Sequence, residues 1–134
     1  MRALLRELSF AVLAWLIPFV ASVCIFPLKR LHSPLFESLM GVVLVGSTAA
    51  LGCAYLRRYA RGLVWIAIRI GLTWMIANWA LDAMMFSSGP MKMSLYQYVT
   101  EIAGAYLMIP VMTVGLGAAA AQAQRTSRAA PDHR

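Results

Sequence analysis

The chain has 134 residues, of which 61% are hydrophobic and 13% are charged, and its 12 lysines and arginines exceed its 5 acidic residues by a net charge of +7. A soluble domain carries about 25% charged residues, so the composition excludes an ordinary soluble domain. The basic residues cluster at the ends of apolar segments and are not interleaved with exposed aromatic residues, so the lipid bilayer is the predicted partner and nucleic acid is not.

Four apolar segments, each about as long as a bilayer is thick, occupy most of the chain. A hydrocarbon core of about 30 Å requires about 20 apolar residues in a helix, and a backbone in lipid must form its hydrogen bonds internally. The sequence therefore predicts an all-α fold, a four-helix transmembrane bundle in residues 1–121, followed by a disordered cytoplasmic tail in residues 122–134. The predicted spans are residues 8–28, 38–56, 62–86 and 95–121.

The first predicted span follows Arg2 and Arg6 and contains no acidic residue. Its proline at position 18 predicts a kink, and Pro27 is expected to mark its end. A signal peptide has the same basic start, but the residues before Cys24 do not suit cleavage, so we interpret the segment as a retained span. The short loop after it predicts that spans 1 and 2 are antiparallel neighbours.

Small residues at helical spacing occur in the second and fourth spans. The pairs that lie four residues apart are Gly46/Ala50, Gly115/Ala119 and Gly117/Ala121. This spacing allows two helices to approach closely in lipid. We predict that the face of span 2 packs inside the bundle, and the alternative is packing across a dimer interface. The pairs in span 4 predict another face for close packing.

Ionisable residues within spans are the first candidates for function because they are costly in lipid. Arg69 lies about two turns inside span 3, and its long side chain can reach the water interface. Trp65 lies one turn earlier on the same face. We interpret Arg69 and Trp65 as a membrane anchor, and a functional role for Arg69 is the alternative.

A second set of polar residues lies near the opposite surface. Asn78 and Asp82 share one face at the end of span 3, where the helix dipole disfavours an anion. Lys92 follows after a short turn, and Tyr98 and Glu101 lie one turn apart early in span 4. We predict that these five residues form one polar cluster. It is interpreted as a clasp between spans 3 and 4; the alternatives are an ion or proton site, a small-ligand pocket, or simple exposure to water.

Basic residues predict the orientation, because eight of them lie in the N-terminal segment, the second loop and the tail, against three in the other two loops. The positive-inside rule therefore makes both termini cytoplasmic. No span contains a histidine, and the sequence has no C-x-x-C pair, metal-ligand spacing, serine-hydrolase motif or phosphate loop. The sequence predicts no cofactor, no metal and no catalytic residue.

The C-terminal third carries a recognisable pattern of residues. Its elements are Leu81-Asp82, Gly-Pro-Met-Lys-Met-Ser at 89–94, Tyr98, and Tyr-Leu-Met-Ile-Pro at 106–110. This pattern resembles a family of small four-span prokaryotic membrane proteins that has no assigned activity. The resemblance implies a four-span fold and a prokaryotic plasma membrane, and it implies no activity.

The predicted function is that of a non-enzymatic, multi-pass plasma membrane protein. We expect an accessory or assembly subunit that contacts other membrane proteins or itself as a homo-oligomer. The alternative is a small oligomeric transporter or channel in which Asp82 and Glu101 handle protons or cations. A membrane enzyme ranks third, because no catalytic set is recognisable.

Overall fold

A computed structural model describes residues 2–31, 34–87 and 94–129 of the chain. Within these ranges the protein is helical, and four helices are long and apolar enough to cross a membrane, which confirms the all-α class and the four predicted spans. The α-helices are α1 (Arg2–Arg30), α2 (Leu35–Leu56), α3 (Leu63–Phe86), α4 (Leu95–Tyr98) and α5 (Met108–Ala129). The fourth span consists of α4, a π-helical turn at Val99–Ala103, a 3-10 turn at Ala105–Leu107, and α5.

The helices have a definite order around the bundle. Helix α1 packs against α2 and α3, and α5 packs against the same two helices. Helices α1 and α5 therefore lie at diagonally opposite positions in the bundle. The consecutive helices α2 and α3 form the other diagonal pair and make little contact with each other. The prediction that spans 1 and 2 are neighbours is confirmed.

Two ends of the bundle are distinguished by their residues. The basic end carries the start of α1, residues 57–62 and the end of α5. The far end carries the end of α1, the start of α2, the end of α3 and α4.

Helix α1 is longer than the predicted span. It begins at Arg2 and continues through Pro18 and Pro27, so Pro27 does not mark its end. Glu7 consequently lies inside the helix and is buried, and the prediction that the first span has no acidic residue is wrong. The prediction failed because the span was started at the first long apolar run, whereas a helix also includes polar residues at its ends.

Helix α5 continues to Ala129, so the predicted disordered tail is wrong for residues 122–129. Alanine, glutamine and arginine, which dominate this segment, are among the strongest helix formers, and they extend the helix beyond the apolar part of the span. The remainder of the predicted tail, residues 130–134, lies outside the described residues.

The irregular part of the fourth span lies just before Pro110. Proline has no N–H, and its ring clashes with the carbonyl of the residue four positions earlier, here Tyr106 in the 3-10 turn. Ser94 begins the span with a capping box: its hydroxyl accepts a hydrogen bond from the Gln97 backbone at 3.2 Å. The Trp79 indole donates to the Ala103 carbonyl at the end of the π-helical turn, at 3.3 Å.

Helices α3 and α5 approach each other through glycines. A Cβ atom on Gly117 would lie 2.5 Å from the Ala67 Cβ and 2.9 Å from the Leu63 carbonyl oxygen. A Cβ atom on Gly71 would collide with the Thr113 side chain and lie 2.8 Å from the Cα of Pro110. The prediction that Gly117 serves close packing is confirmed, and a larger side chain at either glycine would require the two backbones to separate.

The other small-residue pairs are turned away from the interior. Gly46, Ala50, Gly115 and Ala119 are exposed, and no atom lies within 4 Å of a Cβ placed on either glycine. The structure contradicts the predicted packing of these residues inside the bundle, because the rotation of α2 and α5 directs other faces inward. Packing of these faces across a homodimer interface stays a prediction.

Candidate functional site

The main candidate site surrounds a buried carboxylate at the far end. Asp82, in the last turns of α3, has 4% of its surface exposed. Its carboxylate accepts hydrogen bonds from the Trp15 indole N–H at 2.7 Å and from the Tyr98 hydroxyl at 3.2 Å, and the Tyr106 hydroxyl lies beside it. We call these four residues the Asp82 cluster. Within the described residues, no lysine or arginine forms an ion pair with Asp82.

Three separate spans supply the Asp82 cluster. Trp15 lies in α1, which packs against α3, and its ring stacks on Phe19 with 4.8 Å between centroids. Tyr98 ends α4 and Tyr106 lies in the 3-10 turn, so the π-helical turn between them sets their relative orientation. Departures of this kind from regular α-helix are frequent at functional sites. The carboxylate is thus held by α1, α3 and the irregular part of the fourth span.

Three further buried polar atoms lie between the Asp82 cluster and the basic end. They are Thr48 Oγ1, Trp74 Nε1 and Asn78 Oδ1, and none has a hydrogen-bond partner among the described residues. The Asn78 amide N–H donates to the Trp74 carbonyl at 2.7 Å, so only its oxygen is unpaired. An unpaired buried polar atom costs about 1–3 kcal/mol. Among the described residues, these atoms are therefore unpaired polar groups within an otherwise largely apolar core.

A second buried carboxylate lies at the basic end. The Glu7 side chain is 8% exposed, and its carboxylate accepts a hydrogen bond from the Arg69 guanidinium at 3.1 Å, so the two form an ion pair. The Arg69 side chain itself is 54% exposed. The neighbouring Arg6 donates to the Tyr59 hydroxyl at 2.9 Å and lies over the Tyr55 ring, 5.5 Å from its centroid. Glu7 thus has its own cation, whereas Asp82 has none among the described residues.

Tyr59, in the connection between α2 and α3, is the titratable group of this network outside the spans. The hydrogen bond with the Tyr55 hydroxyl and the charge of Arg6 lower the pKa of Tyr59 below its ordinary value, because both favour the phenolate. The network therefore joins the starts of α1 and α3 to the end of α2 by charge as well as by packing.

The predicted five-residue cluster is only partly assembled. Asp82 and Tyr98 are hydrogen-bonded, and Asn78 lies one turn away in the interior without a bond to Asp82. Glu101 instead pairs with Lys29 of α1 at 3.5 Å in a half-exposed ion pair, which corrects its predicted membership. Lys92 lies outside the described residues. The prediction failed for Glu101 because only residues close in sequence were considered as its partners.

The structure also revises the predicted membrane anchor formed by Arg69 and Trp65. Arg69 is more than a snorkelling anchor, since its guanidinium compensates the buried Glu7 carboxylate. Trp65 is 74% exposed, and its role as a membrane anchor stays a prediction. Sequence reasoning missed Glu7, Trp15 and Tyr106. The available signal was a tryptophan and a tyrosine in the middle of apolar spans, because a buried indole N–H or phenol O–H requires an acceptor.

Comparisons with protein-family models, with curated proteins and with solved structures find no match for this chain. The resemblance of the C-terminal third to small four-span prokaryotic proteins therefore stays a prediction. Among the described residues, no group of three or more histidine, cysteine, aspartate or glutamate side chains is placed to hold a metal ion. The candidate site is accordingly interpreted from its own geometry.

Proposed function

We propose that this chain is a small multi-pass transport protein of a prokaryotic plasma membrane in which Asp82 binds a proton or a cation. The observation that carries this proposal is a buried carboxylate that accepts two hydrogen bonds from neutral donors, lies beside a third hydroxyl, and has no cation among the described residues. A buried carboxylate without a cation is costly as an anion, and a proton or a bound cation removes that cost.

The groups around Asp82 are better suited to binding and releasing a proton or cation than to holding Asp82 in a permanent ion pair. Of the described titratable groups, Tyr98 donates a hydrogen bond to Asp82 and Tyr106 lies beside it, and both are neutral hydroxyls. Lys29 and Glu101, which also lie at this end, neutralise each other in a separate ion pair. The charge of the Asp82 site would therefore change when a proton or cation binds to it or leaves it.

The unpaired atoms of Thr48, Trp74 and Asn78 support a route from the Asp82 cluster into the bundle. Polar groups inside a transmembrane bundle characteristically mark ion or proton pathways. The Glu7–Arg69 ion pair lies nearer the basic end, where Phe10, Tyr55 and Trp74 pack together in the core. A transported proton or cation would pass between two buried carboxylates, and within the described part of the chain Glu7 alone of the two has an ion-pair partner.

The test is the substitution Asp82→Asn, which keeps the size of the side chain and an oxygen acceptor but removes the charge. In proteoliposomes with an imposed pH gradient, we expect proton or cation flux to fall at least about tenfold while the melting temperature stays near that of the wild type. Glu101→Gln is the matched control: it removes an acid at the same end that already has a partner, and flux should persist.

The opposite result would identify a structural clasp. If the wild type carries no flux at any pH, and Asp82→Asn lowers the melting temperature, the Asp82 cluster only joins α1, α3 and the fourth span. That outcome would favour the second candidate function, an accessory or assembly subunit. The observation that favours it is the pair of exposed small-residue faces at Gly46/Ala50 and Gly115/Ala119, which are suited to a second membrane helix.

Both termini are proposed to be cytoplasmic, and thiol labelling of intact cells tests this orientation. In a variant with Cys24→Ala and Cys53→Ala, we expect Glu37→Cys at the far end to react with an impermeant thiol reagent. Ser127→Cys near the end of α5 should react only after the cells are permeabilised. Labelling of Ser127→Cys but not Glu37→Cys in intact cells would reverse the proposed orientation.

A further inference from the structure

An open cleft at the basic end lies apart from the Asp82 cluster. It has a volume of about 410 Å³ and lies between the start of α3 and the end of α5. Its polar lining consists of Arg61, Trp65, Gln124, Arg125 and Arg128. Helices α3 and α5 are in close contact at Gly117 and the Leu63 backbone. The cleft lies next to this contact, on the side of the basic end.

The three arginines of the cleft have no anionic partner among the described residues. The chain has 5 acidic residues. Glu7 is occupied by its own ion pair, and Glu37, Asp82 and Glu101 lie at the far end. Asp132 lies outside the described residues. The cleft is thus a concentration of positive charge that the described part of the protein does not neutralise.

The backbone adds hydrogen-bond donors to the same place. Gly62 begins α3 in the left-handed conformation, with φ of 67°, and no side chain caps the helix. The N–H groups of Leu63, Val64 and Trp65 therefore have no acceptor within the helix. Together with the helix dipole, they favour an anion beside the arginines.

We propose that this cleft binds the phosphate headgroup of an anionic phospholipid. The cleft joins charged and apolar surface, since Leu63, Val64 and Ala121 line it beside the arginines. It lies where two membrane-spanning helices end, and Trp65 is 74% exposed there. A headgroup phosphate would contact the arginines and the backbone N–H groups while its acyl chains follow the apolar side. Basic pockets between the ends of transmembrane helices are suited to such headgroups.

The experiment measures binding of labelled phosphatidylglycerol to the purified full chain in phosphatidylcholine nanodiscs. The cleft variant is Arg61→Gln with Arg125→Gln, and the control is Arg57→Gln with Arg58→Gln, which removes the same charge from exposed positions that do not line the cleft. The affinity of the cleft variant is expected to fall about tenfold further than that of the control. Arg128→Gln alone should give a smaller loss in the same direction.

Two results would overturn the assignment. Equal losses in the cleft and control variants would mean that the arginines act only through general surface charge. Displacement of the labelled lipid by an equal concentration of inorganic phosphate would make free phosphate the ligand. Melting temperatures of all variants are measured in the same nanodiscs, and Arg128→Gln decides the question if the double variant fails to fold. The outcome is independent of flux through the Asp82 cluster.

Discussion

Gly117→Val is expected to force α3 and α5 apart and to lower the free energy of unfolding by about 3 kcal/mol. The Cβ of any residue at this position would meet the Ala67 Cβ at 2.5 Å and the Leu63 carbonyl oxygen at 2.9 Å. The carbonyl belongs to the α3 backbone, so the contact cannot be relieved by a change of rotamer. Thermal unfolding in detergent, followed by circular dichroism, measures the effect.

Gly115→Val is the matched control for this prediction. It places the same β-branched residue in the same helix, but no atom lies within 4 Å of the Cβ position. Its intrinsic helix cost is the same, so the difference between the two variants reports contact with α3 alone. Equal melting temperatures would contradict the packing described above. A smaller oligomer for Gly115→Val, with unchanged stability, would support the homodimer prediction for the exposed small-residue face.

Arg69→Met is expected to lower the free energy of unfolding by about 2 kcal/mol, because it leaves the Glu7 carboxylate buried without a cation. Loss of one partner from a fully buried pair costs more, but the Arg69 side chain is 54% exposed and water already screens its charge. Methionine retains much of the apolar length of arginine, so the expected loss comes from the charge. Denaturant unfolding in mixed micelles measures the difference.

The double variant Glu7→Gln with Arg69→Met separates the ion pair from packing. If the pair is responsible, Glu7→Gln should restore part of the stability lost in Arg69→Met, since the carboxylate that needs compensation is gone. Additive losses in the double variant would show instead that the two side chains act independently. A neutral effect of Arg69→Met would return Arg69 to the role of a snorkelling anchor.

The two ends of the protein suit different chemistry. At the far end, Asp82 is buried among neutral donors and has no ion pair among the described residues. At the basic end, Glu7 is permanently paired, and the arginines of the cleft lie near the surface without a described acidic partner. Loss of flux in Asp82→Asn and loss of lipid in the cleft variant are therefore separable results.

The number and type of the helices could be predicted from the sequence, because the length of an apolar segment and the need to pair every backbone group in lipid are local properties. The same is true of the Ser94 cap, which depends on residues three positions apart. Their exact ends were less predictable: Glu7 and residues 122–129 are polar in composition, yet they continue helices.

Tertiary structure determined which residues come together in the candidate site. Trp15 and Asp82 are 67 positions apart, and Glu7 and Arg69 are 62 apart, so no local pattern pairs them. In lipid both the buried and the outward faces of a helix are apolar, so hydrophobicity does not fix its rotation. Gly115 and Gly117 look equivalent in the sequence, but only Gly117 contacts α3. The sequence determined that four helices are long and apolar enough to cross a membrane, and the packing of those helices determined which buried charges have partners.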